Sequence, residues 1–513
     1  MSARRRDVAA DEIERLAGGL DRSTLVVAGV ATLGLIMAVL DTTIVNVALD
    51  TVSRDLHAPL STIQWVATGY LLSLAAVIPL SGWITERFGA KRTWICSIGL
   101  FALGSALCAL SSSAGELIAF RVFQGLGGGM LVPVGMTLIA QSAGPQHVGR
   151  ALALAGVPIL LGPIIGPVVG GLIVDTATWQ WIFVVNVPIA ILAIALAVRL
   201  LKKDAGRADA GPLDWVGALI LCPGLAGVVF GLSETESQGG IDHPVVFGPI
   251  VAGLVLIGLF ARHSVRVPRP LIDLHLFVSR SFRAAATTTF LLGAALYGAM
   301  LIIPLYYQVD RGESALTAGL LLAPQGIGAA FMLPISGRLT DRLGGGPVVL
   351  AGCTIAAVAT VPWMFITANT PYVLLGAMLF VRGLGLGASI QPSIAAAYTG
   401  LESVQVPRAS AVLNTLRQLG GSIGTALLAV VLQNEGAAAL AGSGGGDLLT
   451  PLPPSERASL SGPVATAFGS TFTWAVLMAV LTILPALALF RAQRSHTRLE
   501  TSAKAGIRRA GAV

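Results

Sequence analysis

Two residues in this sequence stand where charged side chains are costly. Asp41 lies in the apolar run LIMAVLDTTIVNVAL, and Arg121 lies in LIAFRVFQGLGGGML. An Asp or Arg at the centre of a membrane helix costs about 2.5–3.5 kcal/mol, so each must face a partner or water. Counted from the outer ends of their segments, Asp41 sits about 12 Å deep and Arg121 about 9 Å at 1.5 Å per residue. Their similar depth predicts an ion pair or one hydrated network, with Gln124 a turn from Arg121 and Asn46 a turn from Asp41. Burial favours the neutral carboxyl and a nearby cation the charged one, so movement of Arg121 would toggle proton affinity. Two readings stay open: a fixed pair that only sets helix packing, or a proton-exchanging carboxylate tuned by its arginine.

The second half of the chain has Arg382 and Arg417 at mid-depth, with no carboxylate near them in sequence. Arg417 is expected to close a hydrogen bond to backbone at a helix kink. Asn46, Gln64, Tyr70, Gln124, Tyr297, Tyr306, Tyr307, Gln308, Gln325, Arg382, Gln391, Asn414 and Gln418 are polar candidates for a cavity lining. A cavity of net positive charge disfavours dications and predicts neutral, zwitterionic or anionic amphiphiles as cargo. No Asp or Glu occurs between Gly319 and Ile335 to counter that. A third feature is GVPILLGPIIGPVVGG (156–171), where Gly162, Gly166 and Gly170 recur every fourth residue. In a helix they form one bare stripe, which lets a neighbour approach closely where the solvent is lipid. The expectation is that this stripe lies where two halves of the molecule meet.

The elements that must position these groups are membrane helices. Of the 513 residues 54% are hydrophobic and only 12% charged, against about 25% charged in soluble domains, and the mean hydropathy is +0.80. Runs of about 20 apolar residues, the length of a span, occur near 25–49, 62–84, 92–111, 115–141, 149–174, 179–201, 214–232, 245–262, 284–308, 317–340, 347–367, 371–398, 409–433 and 464–490. Lys and Arg gather on one side of these spans, from Arg4–Arg6 through Arg87, Arg150, Lys202, Arg266 and Arg342 to the tail after Arg491. The positive-inside rule then places both termini in the cytoplasm. Glu234, Glu236, Asp242, Asp310 and Glu435 fall in the outer loops. The net charge of +7 is therefore topological and implies no nucleic-acid partner. The four cysteines lie in apolar runs without CxxC spacing, which argues against a disulfide framework or a zinc site. No metal is expected.

The chain also repeats itself. SGWITERFGAKR (81–92) is echoed by SGRLTDRLGGGP (336–347), and FQGLGGGM (123–130) by VRGLGLGA (381–388). Two homologous six-helix halves follow, as in secondary transporters with a site between repeats. The expected plan is an extension 1–24, a first bundle 25–201, a linker with two extra helices 202–283, a second bundle 284–490 with an outer loop 435–463, and a basic tail 491–513. GLGLGA (383–388) fits a dinucleotide fingerprint but lacks its strand-turn-helix context, and no phosphate-binding G-x-x-x-x-G-K-[ST] occurs. No enzyme or receptor signature competes.

In order along the chain, LDTTIVNVAL, GWITERFGAKR, RVFQGLGGG, GPIIGPVVGG, WQWIFVVNVP (179–188) and NTLRQLGGSIG (414–424) resemble motifs of the major facilitator superfamily. The resemblance is specifically to its fourteen-helix drug:H⁺ antiporters of the EmrB/QacA type. That resemblance implies an all-α membrane protein exporting hydrophobic or amphiphilic drugs in exchange for protons, driven by the proton motive force without a cofactor. An exporter of an endogenous metabolite, lipid or siderophore is the alternative. The resemblance supports proton-coupling roles for Asp41 and Arg121, and makes Gly162, Pro163, Gly166, Pro167, Gly170 and Gly171 the antiporter motif. It makes Gly82, Glu86, Arg87, Gly89 and their copies Gly337, Asp341, Arg342, Gly344 the gating loops, with each carboxylate beside its neighbouring arginine. The family usually has Asp at Glu86 and a basic residue at Ala90, and the second copy ends in Gly345-Gly346-Pro347, so a weaker second latch is expected. Some relatives work with an adaptor and an outer-membrane channel, which nothing in the sequence demands. The bilayer itself is the one partner the composition requires.

Overall fold

The computed structural model describes residues 20–202, 204, 206–207, 210–235, 240, 242–440 and 454–494. Among these it is helical, with no strands. Thirteen helices are long and apolar enough to span a bilayer. We number them α1 (Arg22–Asp55), α2 (Ser61–Phe88), α3 (Ala90–Ala109), α4 (Ala114–Ala143), α6 (Trp181–Leu200), α7 (Trp215–Ser233), α8 (Pro244–Ser264), α9 (Arg280–Asp310), α10 (Leu316–Leu343), α11 (Gly345–Phe365), α12 (Tyr372–Tyr398), α13 (Val406–Ala438) and α14 (Gly462–Arg494). Between α4 and α6 runs α5 (Val148–Thr176), a helix of 29 residues that is also long enough to cross. With it the described spans are fourteen, each within a few residues of its expected place.

Helices α1–α6 form one bundle and α9–α14 the other, and the packing repeats: α1 on α5 as α9 on α13, α2 on α4 as α10 on α12, and α3 on α4 as α11 on α12. Between bundles, α5 packs on α10 and α13 on α2. The inserted α7 and α8 pack on each other and lean on α2 and α13 through α7, where the Trp65 and Phe230 rings lie 5.5 Å apart. Asp214 caps this pair, accepting from the Gly217 N–H at 2.8 Å and bonding His263 Nε2 at 2.8 Å.

The glycine stripe is buried elsewhere than expected. A Cβ on Gly162 would strike Val39, one on Gly166 would strike Thr43, and one on Gly170 would lie 3.0 Å from the Ile44 carbonyl, all on α1 of the same bundle. Gly171 faces open space, and Pro163 and Pro167 fall inside α5. The contact with the other bundle is made by the preceding turns: Gly149 against Thr340 and Asp341, and Gly156 against Gln391 and Leu333. Helix α5 does run along the bundle interface, but the stripe is its inward face. The second bundle has the same joint, with Gly420 and Gly424 of α13 against the Phe290 and Ala294 carbonyls of α9.

Candidate functional site

Asp41 and Arg121 meet inside the first bundle. Arg121 Nη1 lies 2.6 Å from Asp41 Oδ2, and both side chains are almost wholly excluded from solvent. The same Nη1 donates to Gln124 Oε1 at 2.8 Å, and Nε donates to the Val66 carbonyl at 3.1 Å. Gln124 Nε2 in turn donates to Asp41 Oδ1 at 2.9 Å. The guanidinium carbon lies over the Tyr70 ring, 4.0 Å from its centroid. The glycines after Arg121 set α4 close to its neighbours: a Cβ on Gly125 would lie 2.7 Å from Ser73 Cβ on α2, and one on Gly127 2.5 Å from the Phe101 N on α3.

Sequence reasoning missed two members. Asn186 of α6 donates to Asp41 Oδ1 at 3.3 Å and to Ser105 Oγ at 3.1 Å, and Ser105 donates to the Phe183 carbonyl at 2.9 Å. The signal was present, since Asn186 is a lone amide inside the apolar run FVVNVPIAIL. Asn46 does not join them. Five residues carry it about 140° around the helix from Asp41 at 3.6 residues per turn, and it is exposed. Tyr70 and Gln124 belong to the ion-pair network rather than to a substrate cavity, and Gln64 is exposed.

The basic end of the molecule carries two further ion pairs, both between bundles. Glu86 Oε2 of α2 takes the Arg408 Nε of α13 at 2.7 Å. Asp341 Oδ2 of α10 takes the Arg150 Nε of α5 at 2.8 Å, while its Oδ1 accepts the Gly149 N–H at 2.9 Å. The carboxylates thus reach across to the opposite bundle instead of pairing with Arg87 and Arg342. The second copy is complete despite its altered sequence, because its arginine comes from α5. Gly82 and Gly337 make the crossing close enough: a Cβ there would lie 3.1 Å from Arg408 Cα and 2.9 Å from Arg150 Cα. Gly89 and Gly344, at φ of +88° and +83°, turn the chain into the next helix, a conformation that glycine tolerates without strain. Asp204 from the linker caps α3 through the Ala90 and Lys91 N–H groups, and Arg87 donates to the Arg207 carbonyl at 3.5 Å.

The second bundle brings Arg382 and Gln325 together. Arg382 is 3% exposed and donates through Nη1 to Gln325 Oε1 and through Nη2 to the Ala295 carbonyl at 3.1 Å. Both side chains line a narrow cleft between the bundles, of about 20 Å³ and so with room for little more than a water molecule, walled by Ile159 and Leu160 of α5, Leu296 and Met300 of α9, and Leu322 of α10. Other expected lining residues sit elsewhere. Tyr306 is locked in an aromatic cluster, its hydroxyl donating to the Thr367 carbonyl at 2.9 Å and its ring 5.7 Å from Phe468. Tyr307 is buried beside it, and Gln308 donates to the Pro304 carbonyl at 3.4 Å. Asn414 donates to the Ser410 carbonyl at 2.9 Å and accepts from Arg417 Nη2 at 2.8 Å. Arg417 therefore bonds a side chain rather than the backbone of a kink. Tyr297 packs near Gly421, and Gln391 is buried beside Gly156. Asp310, assigned to an outer loop, is instead buried at the end of α9, and Glu435 belongs to α13. Glu236 and residues 441–453 lie outside the described residues, while the remainder of the expected 435–463 loop, 435–440 and 454–463, is helical.

Two pseudo-symmetric bundles around an interface, with a buried charge network in one of them, define a polytopic membrane transporter. The family model for the Major Facilitator Superfamily matches residues 31–425, and the chain belongs to that family. It is 37% identical over 499 residues to a Multidrug resistance protein B homolog of Mycobacterium tuberculosis, covering 93% of this chain and 92% of that protein. It is 33% identical to the Methylenomycin A resistance protein of Streptomyces coelicolor, covering 78% and 84% respectively. Among solved structures, the human organic anion transporter MFSD10 shares the fold, with a TM-score of 0.62 at 16% identity over 91% of this chain and 100% of that one.

Proposed function

We infer that this protein is a proton-coupled antiporter that exports hydrophobic or amphiphilic drugs from the cytoplasm or inner leaflet by alternating access. It resides in the cell membrane with both termini cytoplasmic. The observation that carries the reading is the buried Asp41, held by one cation and two amides. A proton arriving at Asp41 cancels the charge pair and frees Arg121 to keep only its bonds to Gln124 and Val66. The helices that supply the network are α1, α2, α3, α4 and α6, so the change in bonding is felt across the bundle. The Glu86–Arg408 and Asp341–Arg150 pairs tie the bundles together at the basic end, which is the arrangement of a state closed to the cytoplasm. The relatives named for multidrug and antibiotic resistance support the cargo class.

Energy comes from the proton gradient, each charge crossing being worth about 2.3 kcal/mol per 100 mV. No cofactor, nucleic acid or catalytic chemistry is needed. An adaptor and outer-membrane channel are not required by this reading. The test is pH-gradient-driven efflux from proteoliposomes. Asp41→Asn is expected to abolish it while leaving folded, monodisperse protein, and full retention of gradient-driven export would sink the proposal.

A further inference from the structure

The internal repeat aligns the buried polar positions of the two bundles, and the carboxylate of the first bundle's ion pair has no copy in the second. The alignment of FQGLGGGM with VRGLGLGA puts Arg382 where the first bundle has Gln124. The glycine joints align the other helix. Gly162 and Gly166 face Val39 and Thr43, while Gly420 and Gly424 face Phe290 and Ala294. Asp41, midway between the first pair, therefore corresponds to Leu292, midway between the second. Leu292 lines a second, smaller cavity that also touches Arg382. The second bundle thus holds a guanidinium at the level of the first bundle's network, with leucine where the neutralising carboxylate would stand.

Removing a guanidinium from water costs several kcal/mol unless a negative partner and hydrogen bonds compensate. Two of Arg382's five N–H groups are used, both by neutral oxygens, and among the described residues no carboxylate pairs with it. Its position is also unlike a packing residue's. It forms part of the wall of the narrow cleft between the bundles, whose remaining lining is apolar apart from Gln325. A carboxylate matches the planar fork of a guanidinium with two parallel hydrogen bonds, and the apolar walls suit a hydrocarbon or aromatic body.

We propose that Arg382, assisted by Gln325, is the anion-recognising element of the substrate site, and that the preferred cargo is an amphiphile with a single acidic group on an apolar body. The substrate's own carboxylate takes the place that Asp41 fills in the first bundle. This rests on the reading of the chain as an exporter and narrows it to a substrate class.

The test uses dansylamino-undecanoic acid and its methyl ester, which share an apolar body and differ in charge. Binding to the purified full-length protein is read by dansyl fluorescence at a pH where the acid is ionised. The acid is expected to bind about tenfold or more tighter than the ester. Arg382→Gln should remove that difference by weakening the acid alone. Leu292→Asp, which supplies an internal partner for Arg382, should do the same without deleting the arginine, so a folding failure of the first variant does not decide the matter. Equal binding of acid and ester by the wild type, binding of neither, or a preference that survives in a folded variant overturns the inference. Flux separates it from the broader reading. Gradient-driven export of the ester without preference for the acid defeats the Arg382 assignment alone. Arg382-dependent acid binding with no gradient-driven flux of either probe defeats the export reading and leaves the anion site standing.

Discussion

The two bundles share a scaffold but not its chemistry. Gly89 and Gly344 end equivalent helices with the same left-handed turn. Glu86 and Asp341 reach across the interface to Arg408 and Arg150, and paired glycines seat α5 on α1 and α13 on α9. Inside, the bundles diverge. The first holds a guanidinium neutralised by a carboxylate and backed by two amides and a tyrosine ring. The second holds a guanidinium bonded to neutral oxygens. Duplication preserves what lets two helix bundles fit and rock, namely close contacts and end-on latches. The buried polar groups, which cost stability, are where the halves differ.

The difference in charge balance should show most strongly in stability. Arg121→Leu leaves Asp41 buried without its cation, a change worth about 3–5 kcal/mol of destabilisation. The double change Asp41→Leu with Arg121→Leu removes both charges and should recover most of that loss. Arg382→Leu, by contrast, removes a guanidinium that has no ionic partner among the described residues and should leave the ligand-free protein within about 1 kcal/mol of wild type or more stable. Unfolding of the purified variants in detergent provides the comparison. Equal losses for Arg121→Leu and Arg382→Leu would erase the distinction between the bundles.

Where the halves are alike, their equivalence can be tested at the latches. Each is a charge-assisted hydrogen bond of the kind worth about 1.5–3 kcal/mol. Asp341→Asn should loosen the basic end more than Glu86→Gln, because Asp341 also caps the first turn of α5 through Gly149. The double variant should shift the population toward opening by more than either alone. Spin-label distances between the basic ends of α2 and α13, and of α5 and α10, read the shift. Opening at only one of the two pairs in the double variant would show that the latches are not equivalent.

The architecture was largely legible in the sequence, because a membrane helix must be long and apolar throughout and cannot hide its ends. Every described span falls within a few residues of its expected position, and matching depths paired Asp41 with Arg121. Contacts between elements were less legible. A residue's depth follows from counting, whereas its direction depends on which face of the helix is inward. Asn46 is a turn from Asp41 in depth but points away from it. Asn186 has the right direction but was hidden in the motif that opens α6. The Gly162–Gly170 stripe announces a close neighbour without naming it, and that neighbour is α1 rather than the second bundle. Arg150 reads as an ordinary basic loop charge and Arg408 carries no signal of its own, because nothing local shows that they meet carboxylates nearly two hundred and more than three hundred residues away.

The stripe yields a smaller effect with an internal control. Gly166→Ala forces a methyl group into Thr43 of α1, and overpacking of this kind costs about 1–3 kcal/mol. Because that contact adjoins Asp41, efflux should fall with it. Gly424→Ala, the corresponding change in the second bundle, meets the Ala294 carbonyl and should cost a similar amount of stability. Gly171→Ala faces open space and should be silent in both assays. If Gly166→Ala behaves like Gly171→Ala in thermal unfolding, the α1–α5 joint is looser than its α9–α13 counterpart and the structural equivalence of the bundles fails there.

The inserted pair has no counterpart in either bundle, and its attachment should matter least to both. Burial pushes the Asp214 carboxyl up, but the Gly217 and Leu271 N–H groups and the His263 ring outweigh burial and hold it below its ordinary 3.8. A carboxyl lowered by folding adds stability above its unfolded value and loses that contribution as pH falls through the folded one. Asp214→Ala removes a helix cap, which costs about 1 kcal/mol. The gap in unfolding temperature between wild type and variant should therefore be constant near neutrality and narrow as the pH drops below 3.8. Efflux should be unchanged at neutral pH. A loss of transport as large as that of Asp41→Asn would mean that α7 and α8 take part in the motion of the bundles, so that three moving bodies rather than two would have to be compared.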